Sequence, residues 1–177
     1  MNVVIRKKNK EDCIDVQKII TKSWQDTYKG IVNDDFLNLL SENEEERIIA
    51  SQNSFDENNN QELVLEIDKE IVGFVKYGES NDHNYKGYGE INAIYILNQF
   101  KGFGYGKLLI KEVVKKLILN GFDKMIIGCL NGNSSNGFYK HLGGKLDTTR
   151  TITRGNQDLV ENVYVFEGIK QIDSTGK

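Results

Sequence analysis

The chain has 177 residues, room for one domain that buries its own core without a disulfide or metal. Hydrophobic residues make up 38% and charged residues 28%, which excludes a disordered chain; no apolar run approaches the ~20 residues of a membrane span, and the start, MNVVIRKKNKEDC, lacks the apolar stretch of a secretory signal. A net charge of −3 with no basic block argues against nucleic acid or an anionic membrane as partner.

Val3 to Arg6 reads as a short strand. Asn9 then caps a helix over 10–28, with Asp12 three residues on and an apolar stripe of Ile14, Val16, Ile19, Ile20 and Trp24 at helical spacing. Asp34 to Leu40 is a second short helix, and Glu42 to Ala50 continues helical from an acidic first turn. After a loop over 54–61 the period changes to two. Leu63 to Ile67 and Ile71 to Tyr77 form a hairpin about Asp68-Lys69, 79–87 is a polar loop, and Glu90 to Ile96 is a strand. Gly104 to Asn120 is a helix with Leu108, Leu109, Val113, Leu117 and Ile118 on one face, ended by Gly121. Lys124 to Leu130 is a buried strand. Asn136 to Leu142 is a short helix, and Lys145 to Ile152 and Leu159 to Glu167 are the last strands.

The order β-α-α-β-β-β-α-β-α-β-β is that of a single mixed α/β domain over 1–167 with a central sheet. The unit 90–130 is a strand-helix-strand crossover, expected to be right-handed. Residues 168–177 are expected to be a polar, frayed tail.

Cys13 and Cys129 lie far apart in mostly apolar surroundings. With no export signal they read as two reduced, buried thiols of a cytoplasmic protein. His83 and His141 lie in no metal-ligand spacing, so no metal is expected. Cys129 has no histidine or asparagine motif to make it a nucleophile, and His141, at a helix C-terminus, reads as structural.

The most informative stretch is Lys101-Gly102-Phe103-Gly104-Tyr105-Gly106-Lys107. A strand runs into three alternating glycines, which run straight into a helix. Alternating glycines allow positive φ and close approach of a ligand to the backbone. Successive N–H groups then converge where the helix dipole is positive. This is a cradle for a phosphate or pyrophosphate, with Lys101 and Lys107 as added charge. A Walker A loop fails, because Leu108 stands where Ser or Thr is required. A dinucleotide fingerprint fails, because Leu109 replaces its third glycine and no acidic residue follows at the right distance.

Lys101-Gly-Phe-Gly104-Tyr-Gly106 resembles the Gln/Arg-x-x-Gly-x-Gly/Ala motif of the GNAT acetyltransferase superfamily, with Lys in the first place. Gln99-x-x-Gly102-x-Gly104 also fits, but only the later register sets its last glycine against the helix. Asn131-Gly-Asn133-Ser-Ser-Asn-Gly-Phe138-Tyr139-Lys-His-Leu142-Gly143-Gly144 resembles the family's second landmark, and Trp24-Gln-Asp-Thr-Tyr28-Lys-Gly30-Ile31 a subgroup of small-molecule acetyltransferases. The resemblance runs from Val3 to Phe166 in the family's element order, and implies a mostly antiparallel sheet flanked by helices.

It also implies direct acetyl transfer from acetyl-CoA, the co-substrate, to a primary amine of a small molecule or peptide. The pyrophosphate would sit on the N–H groups of 102–107. The pantetheine arm would run beside Ile94–Ile96, with a backbone N–H near Tyr95 or Ile96 polarising the thioester carbonyl and Asn133 bonding the arm from the other side. Tyr139 is the matching position for the acid that protonates the thiolate. Glu90 is the candidate base, directly or through a water held by Asn92. Trp24, Asp26, Thr27 and Tyr28 would wall the acceptor site, although Trp24 and Tyr28 at this spacing also read as core. A homodimer through the C-terminal strands is the oligomer the resemblance suggests. The alternative is a CoA-binding sensor or regulatory module without turnover.

Overall fold

The computed structural model describes residues 1–174. Its elements are β1 (Val3–Lys7), α1 (Cys13–Tyr28), α2 (Asp34–Glu42), α3 (Glu44–Asn53), β2 (Glu62–Ile67), β3 (Glu70–Glu79), β4 (Gly89–Ile96), α4 (Tyr105–Leu119), β5 (Met125–Leu130), α5 (Ser135–His141), β6 (Lys145–Arg154), β7 (Gln157–Phe166) and α6 (Lys170–Ser174). The strands form one seven-stranded sheet in the order β1-β2-β3-β4-β5-β7-β6. Neighbours pair antiparallel at β1/β2, β2/β3, β5/β7 and β6/β7, and parallel at β4/β5. The mixed, mostly antiparallel sheet is therefore as expected. No described helix is long and apolar enough to cross a membrane.

The chain forms two compact units. The first is Met1–Lys76 with Ala93–Leu109, and the second is Tyr77–Asn92 with Ile110–Lys177. In the first, Val16 packs with Val64 and Phe74, and Ile20, Ile71, Ala93 and Tyr95 close round them. The β2–β3 turn places Asp68 at φ 49° and Lys69 at φ 75°, the two left-handed residues of a tight hairpin turn. In the second, Tyr85, Ile126, Val163 and Val165 form a core cluster under Tyr88. The loop over 79–87 is thus anchored: Tyr85 is buried, and its hydroxyl donates to Asp147 at 2.7 Å. Asp147 is the residue skipped by the β6/β7 register between Leu146 and Thr148, and such a bulge re-aims a side chain.

Three further expectations shift. The α1 helix begins at Cys13 rather than residue 10, although Asn9 and Asp12 do cap reciprocally. The Asn9 N–H donates to Asp12 Oδ2 at 2.8 Å and the Asp12 N–H to Asn9 Oδ1 at 2.9 Å. On α4, Leu108 is exposed, while Ile110 and Val114 are buried beside Leu109, Val113 and Leu117. The tail expected from residue 168 instead packs: Ile169 and Ile172 are buried, the Ile169 N–H donates to the Asp123 carbonyl at 3.1 Å, and 170–174 form α6. Residues 175–177 of that tail lie outside the described residues.

Asp12 ties three elements. Arg6 donates to it from Nη1 at 2.6 Å and Nη2 at 2.9 Å, and from Nε to Glu66 on β2 at 3.2 Å. Burial works to raise the Asp12 pKa, but the Arg6 guanidinium and the Asn9 N–H outweigh it and hold it below the ordinary value. A depressed carboxylate stabilises the fold above its unfolded pKa and ceases to as pH falls through its folded pKa. Asp12→Asn is therefore expected to cost about 2 kcal/mol at neutral pH. The gap from the wild type should begin to narrow below about pH 4, where Asp12 of the unfolded chain takes up its proton, and close once the pH has fallen through the lower folded value. Urea unfolding of both proteins across this range is the check, and a gap independent of pH would remove the ion pair as its cause.

Candidate active site

The cradle lies in the first unit. A 3-10 turn over Asn98–Phe100 follows β4 and leads into Gly102 at φ 85° and Gly104 at φ 84°. An added Cβ at either would meet nothing within 4 Å, so the backbone conformation and not crowding requires glycine there. Gly104 closes the first turn of α4 by accepting the Leu108 N–H at 3.1 Å. The first N–H groups of α4 consequently have no acceptor within the helix. Gly106 lies inside that first turn, at an ordinary φ.

The side chains around the loop divide in use. Tyr105 is buried and its hydroxyl meets Met1 Sδ at 3.6 Å, which anchors α4. Phe103 is 71% exposed. Lys101 and Lys107 are both exposed, and Lys101 Nζ donates to Thr27 Oγ1 on α1 at 3.3 Å. Desolvation of that ammonium pushes its pKa down, opposed by the charge of Asp26.

Before the cradle, the ladder of β4 with β5 covers Gly89–Ile91 only, leaving Ile94, Tyr95 and Ile96 out of it. On its other side β4 lies close to β3: a Cβ at Gly73 would stand 2.9 Å from the Tyr95 carbonyl oxygen. The Tyr95 ring stacks on Phe74 at 5.8 Å, and its hydroxyl accepts the Trp24 Nε1–H at 2.8 Å. Trp24 also meets Tyr28 at 4.6 Å and Phe36 at 5.6 Å. Trp24 and Tyr28 are buried, as core residues are, while Asp26 is exposed and paired with Lys22 at 3.1 Å. Ser23 is 3% exposed, and its hydroxyl has no hydrogen-bond partner among the described residues.

Glu90, Asn133 and Tyr139 lie in the second unit. Tyr139 is buried on α5, its ring 5.4 Å from Phe138 and 6.0 Å from Tyr164. Asn133 is buried, and its Oδ1 accepts the Ser135 N–H at 2.8 Å, which ties off the start of α5. Asn136, unforeseen in the sequence, is the hub beside it. Its Nδ2 donates to the Leu130 and Asn133 carbonyls, and its Oδ1 accepts from Asn162 and Tyr164.

Glu90 is 6% exposed and is held at both oxygens. Ser80 Oγ donates to Oε2 at 2.8 Å and Arg150 Nη2 to Oε1 at 3.0 Å. Arg150 also donates to Glu161 at 2.5 Å and to Asp82 at 3.2 Å, so one guanidinium serves three carboxylates. Burial disfavours the Arg150 cation, but Glu161 and Glu90 more than offset it and raise its pKa. Glu161 occupies the space a side chain at Gly128 would take, 2.5 Å from an added Cβ. Asn92 is exposed. Both cysteines are free and buried, and burial, with Glu161 adding to it, pushes the Cys129 thiol up to about 12. Such a thiol holds almost no thiolate at neutral pH.

A parallel strand pair, a helix crossover and a pair of left-handed glycines at the helix start define a mixed α/β protein with a candidate anion-binding loop. Residues 19–143 match the model of the acetyltransferase (GNAT) family. The chain belongs to this family. It is 30% identical over 140 residues to a Bacillus subtilis (strain 168) protein described as the uncharacterized N-acetyltransferase YuaI, covering 78% of both chains. Its fold is similar to the crystal structure of PaiA N-acetyltransferase from Thermoplasma acidophilum in complex with coenzyme A, with a TM-score of 0.70 and 22% identity over 92% of this chain and 98% of that one. It is also similar to YncA of Salmonella typhimurium with its cofactor acetyl-CoA, with a TM-score of 0.62 and 20% identity over 94% of each chain.

The Arg150 cluster has a measurable consequence. Arg150→Met strands Glu90 and should destabilise the protein by about 3 kcal/mol, the cost of breaking one half of a buried pair. Adding Glu90→Gln should recover part of that loss, because the stranded charge is gone. Denaturant midpoints of the two variants test this; a single-variant loss under about 0.5 kcal/mol would mean that solvent replaces the guanidinium.

Proposed function

We propose that the protein transfers an acetyl group from acetyl-CoA to a primary amine of a small molecule or peptide, by direct attack. The observation that carries this is the pair of left-handed glycines, Gly102 and Gly104, leading into the first N–H groups of α4, which have no acceptor within the helix. In this reading those N–H groups bind the pyrophosphate. Lys107 adds charge, and Phe103 is exposed beside it. The pantetheine arm uses the Ile94–Ile96 backbone that the β5 ladder leaves out, and the N–H of Tyr95 or Ile96 polarises the thioester carbonyl.

The amine nitrogen bonds to the carbonyl carbon and gives up a proton to water, the C–S bond breaks, and the thiolate takes a proton. Tyr139 is assigned that proton donation from its place in the family motif. Asn133 is assigned to the arm from its place in the family motif, while its oxygen serves α5. Glu90 can take the amine proton only through the lone pairs that Ser80 and Arg150 leave, so we give it a bracing role first. The pKa of Cys129 supports direct attack over a thioester on the protein.

CoA or acetyl-CoA should stabilise the fold by about 2.7 kcal/mol at a hundred times its dissociation constant. Gly104→Glu should abolish the effect, since it forces a side chain and a charge onto a left-handed residue of the cradle. Unchanged CoA affinity in that variant would displace the site from the loop. Tyr139→Phe should keep CoA affinity while turnover with an amine panel, read as thiol release, falls about 10²–10⁴-fold. Wild-type turnover in that variant would hand the proton to water. CoA binding with no thiol release from any amine would favour the sensor reading.

A further inference from the structure

One stripe of α1 carries Gln17, Thr21, Trp24 and Tyr28 at helical spacing. Its first half holds the guanidinium of Arg47, which reaches over from α3. Arg47 Nη2 donates to Gln17 Oε1 at 2.7 Å, and Nη1 donates to Thr21 Oγ1 and to the Leu40 carbonyl, each at 2.9 Å. One turn further on, Trp24 donates to the Tyr95 hydroxyl. Arg47 and the Trp24–Tyr95 pair therefore adjoin on one helix face, all within the first unit.

Arg47 is half-buried, yet every hydrogen bond it makes among the described residues goes to a neutral acceptor. The last turn of α2 compensates its charge in part through the Leu40 carbonyl. Burial still pushes its pKa down, against the opposing influence of Glu44 and Tyr95. These bonds leave Nε–H and one Nη2–H, donors on adjacent nitrogens, which is what a carboxylate engages in bidentate fashion. The surroundings of Tyr95 are otherwise apolar: Phe74 and Trp24, with Tyr28 and Phe36 beyond, and the aliphatic cluster of Val16 and Val64. The unpartnered hydroxyl of Ser23 adds a polar group next to Trp24.

We infer that Arg47 receives a carboxylate of the acceptor, so that the acceptor is an amine with a carboxylate on an apolar or aromatic body, as in a free amino acid. This rests on the acetyl-transfer reading, which puts the thioester carbonyl at the Tyr95 or Ile96 N–H. The amine must reach that carbonyl, so the side chains packed round Tyr95 border its path. A polyamine or aminoglycoside would bring several positive charges toward the Arg47 guanidinium, and the Asp26 carboxylate is already paired with Lys22. An amino acid brings the counter-ion that this guanidinium lacks.

The test is thiol release from acetyl-CoA with leucine, phenylalanine and tryptophan, each against its own amide and its decarboxylated amine, with spermidine as polycation. Wild type, Arg47→Gln and Arg47→Lys are compared as full chains. At least one amino acid should exceed its amide by about ten- to a hundredfold in kcat/KM, mainly through KM. Arg47→Gln should shrink that gap to within about threefold and Arg47→Lys should keep part of it, because a lysine supplies charge without the fork. Equal values for acid and amide in wild type, or spermidine as the best acceptor, would overturn the inference. So would a gap that survives Arg47→Gln. If Arg47→Gln does not fold, the wild-type acid-to-amide comparison decides alone. The wider reading is separated by the same data. Stabilisation by CoA and thiol release with amides or spermidine would leave acetyl transfer standing and the carboxylate contact refuted, whereas no stabilisation and no release with any amine would end both.

Discussion

Three residues of parallel ladder, Gly89–Ile91 against Met125–Ile127, govern where the glycine turn into α4 can lie. Parallel neighbours cannot be joined by a tight turn, so a crossover must leave the C-terminal end of β4 and return to the start of β5. Helix α4 is that crossover, and its positive end consequently falls just past the end of β4. Gly89 lets α4 lie close, since a Cβ there would stand 2.8 Å from the Leu117 side chain. Gly102 and Gly104 then turn the chain into the helix without a capping side chain that would fill the space. The return is sharp as well. Gly121 at φ 89° closes α4, with the Phe122 N–H on the Leu117 carbonyl and the Gly121 N–H on the Ile118 carbonyl.

Buried charge does the remaining positioning in each unit. Arg6, Asp12 and Glu66 fix the start of α1 against β1 and β2. Arg150 gathers Glu90, Glu161 and Asp82 from β4, β7 and the loop before β4. Both clusters hold long side chains in one geometry by several bonds at once. An isolated exposed pair such as Lys22–Asp26 cannot do this, because solvent competes for each partner.

The sequence was most legible where physics is local. Strand and helix positions followed from period two against period 3.6, and the cradle from glycine spacing beside a strand and a helix. Reading was less sure where a face had to be chosen: Leu108 fits the α4 stripe as well as Ile110 does, and only packing decides between them. It failed where the partner is distant. Tyr85 sits in a polar stretch and gives no sign that Asp147 awaits it 62 residues on. Ile169 and Ile172 stand among polar residues, so the closing segment read as a tail. Arg150 was partly recoverable, because a hairpin turning at Gly155 and Asn156 sets it opposite Glu161, as the register has it. Its bond to Glu90 was not, since no local rule pairs β6 with β4. Nothing in the pattern of α3 marked Arg47 either, as its partners come from α1 and the end of α2.

Gly128 carries a different kind of constraint from the cradle glycines. Its φ is not among the positive ones, so any residue could adopt its backbone; what a side chain there would meet is the end of the Glu161 side chain, which would have to swing aside. The two positions therefore form an evolutionary unit. A lineage that lengthens residue 128 has to displace the Glu161 carboxylate or shorten residue 161, and either change draws from Arg150 its nearest anion. Sequence drift at an unremarkable mid-strand glycine would thus register on the neighbouring strand β4, at the Glu90 carboxylate, by way of Arg150 on the far edge of the sheet.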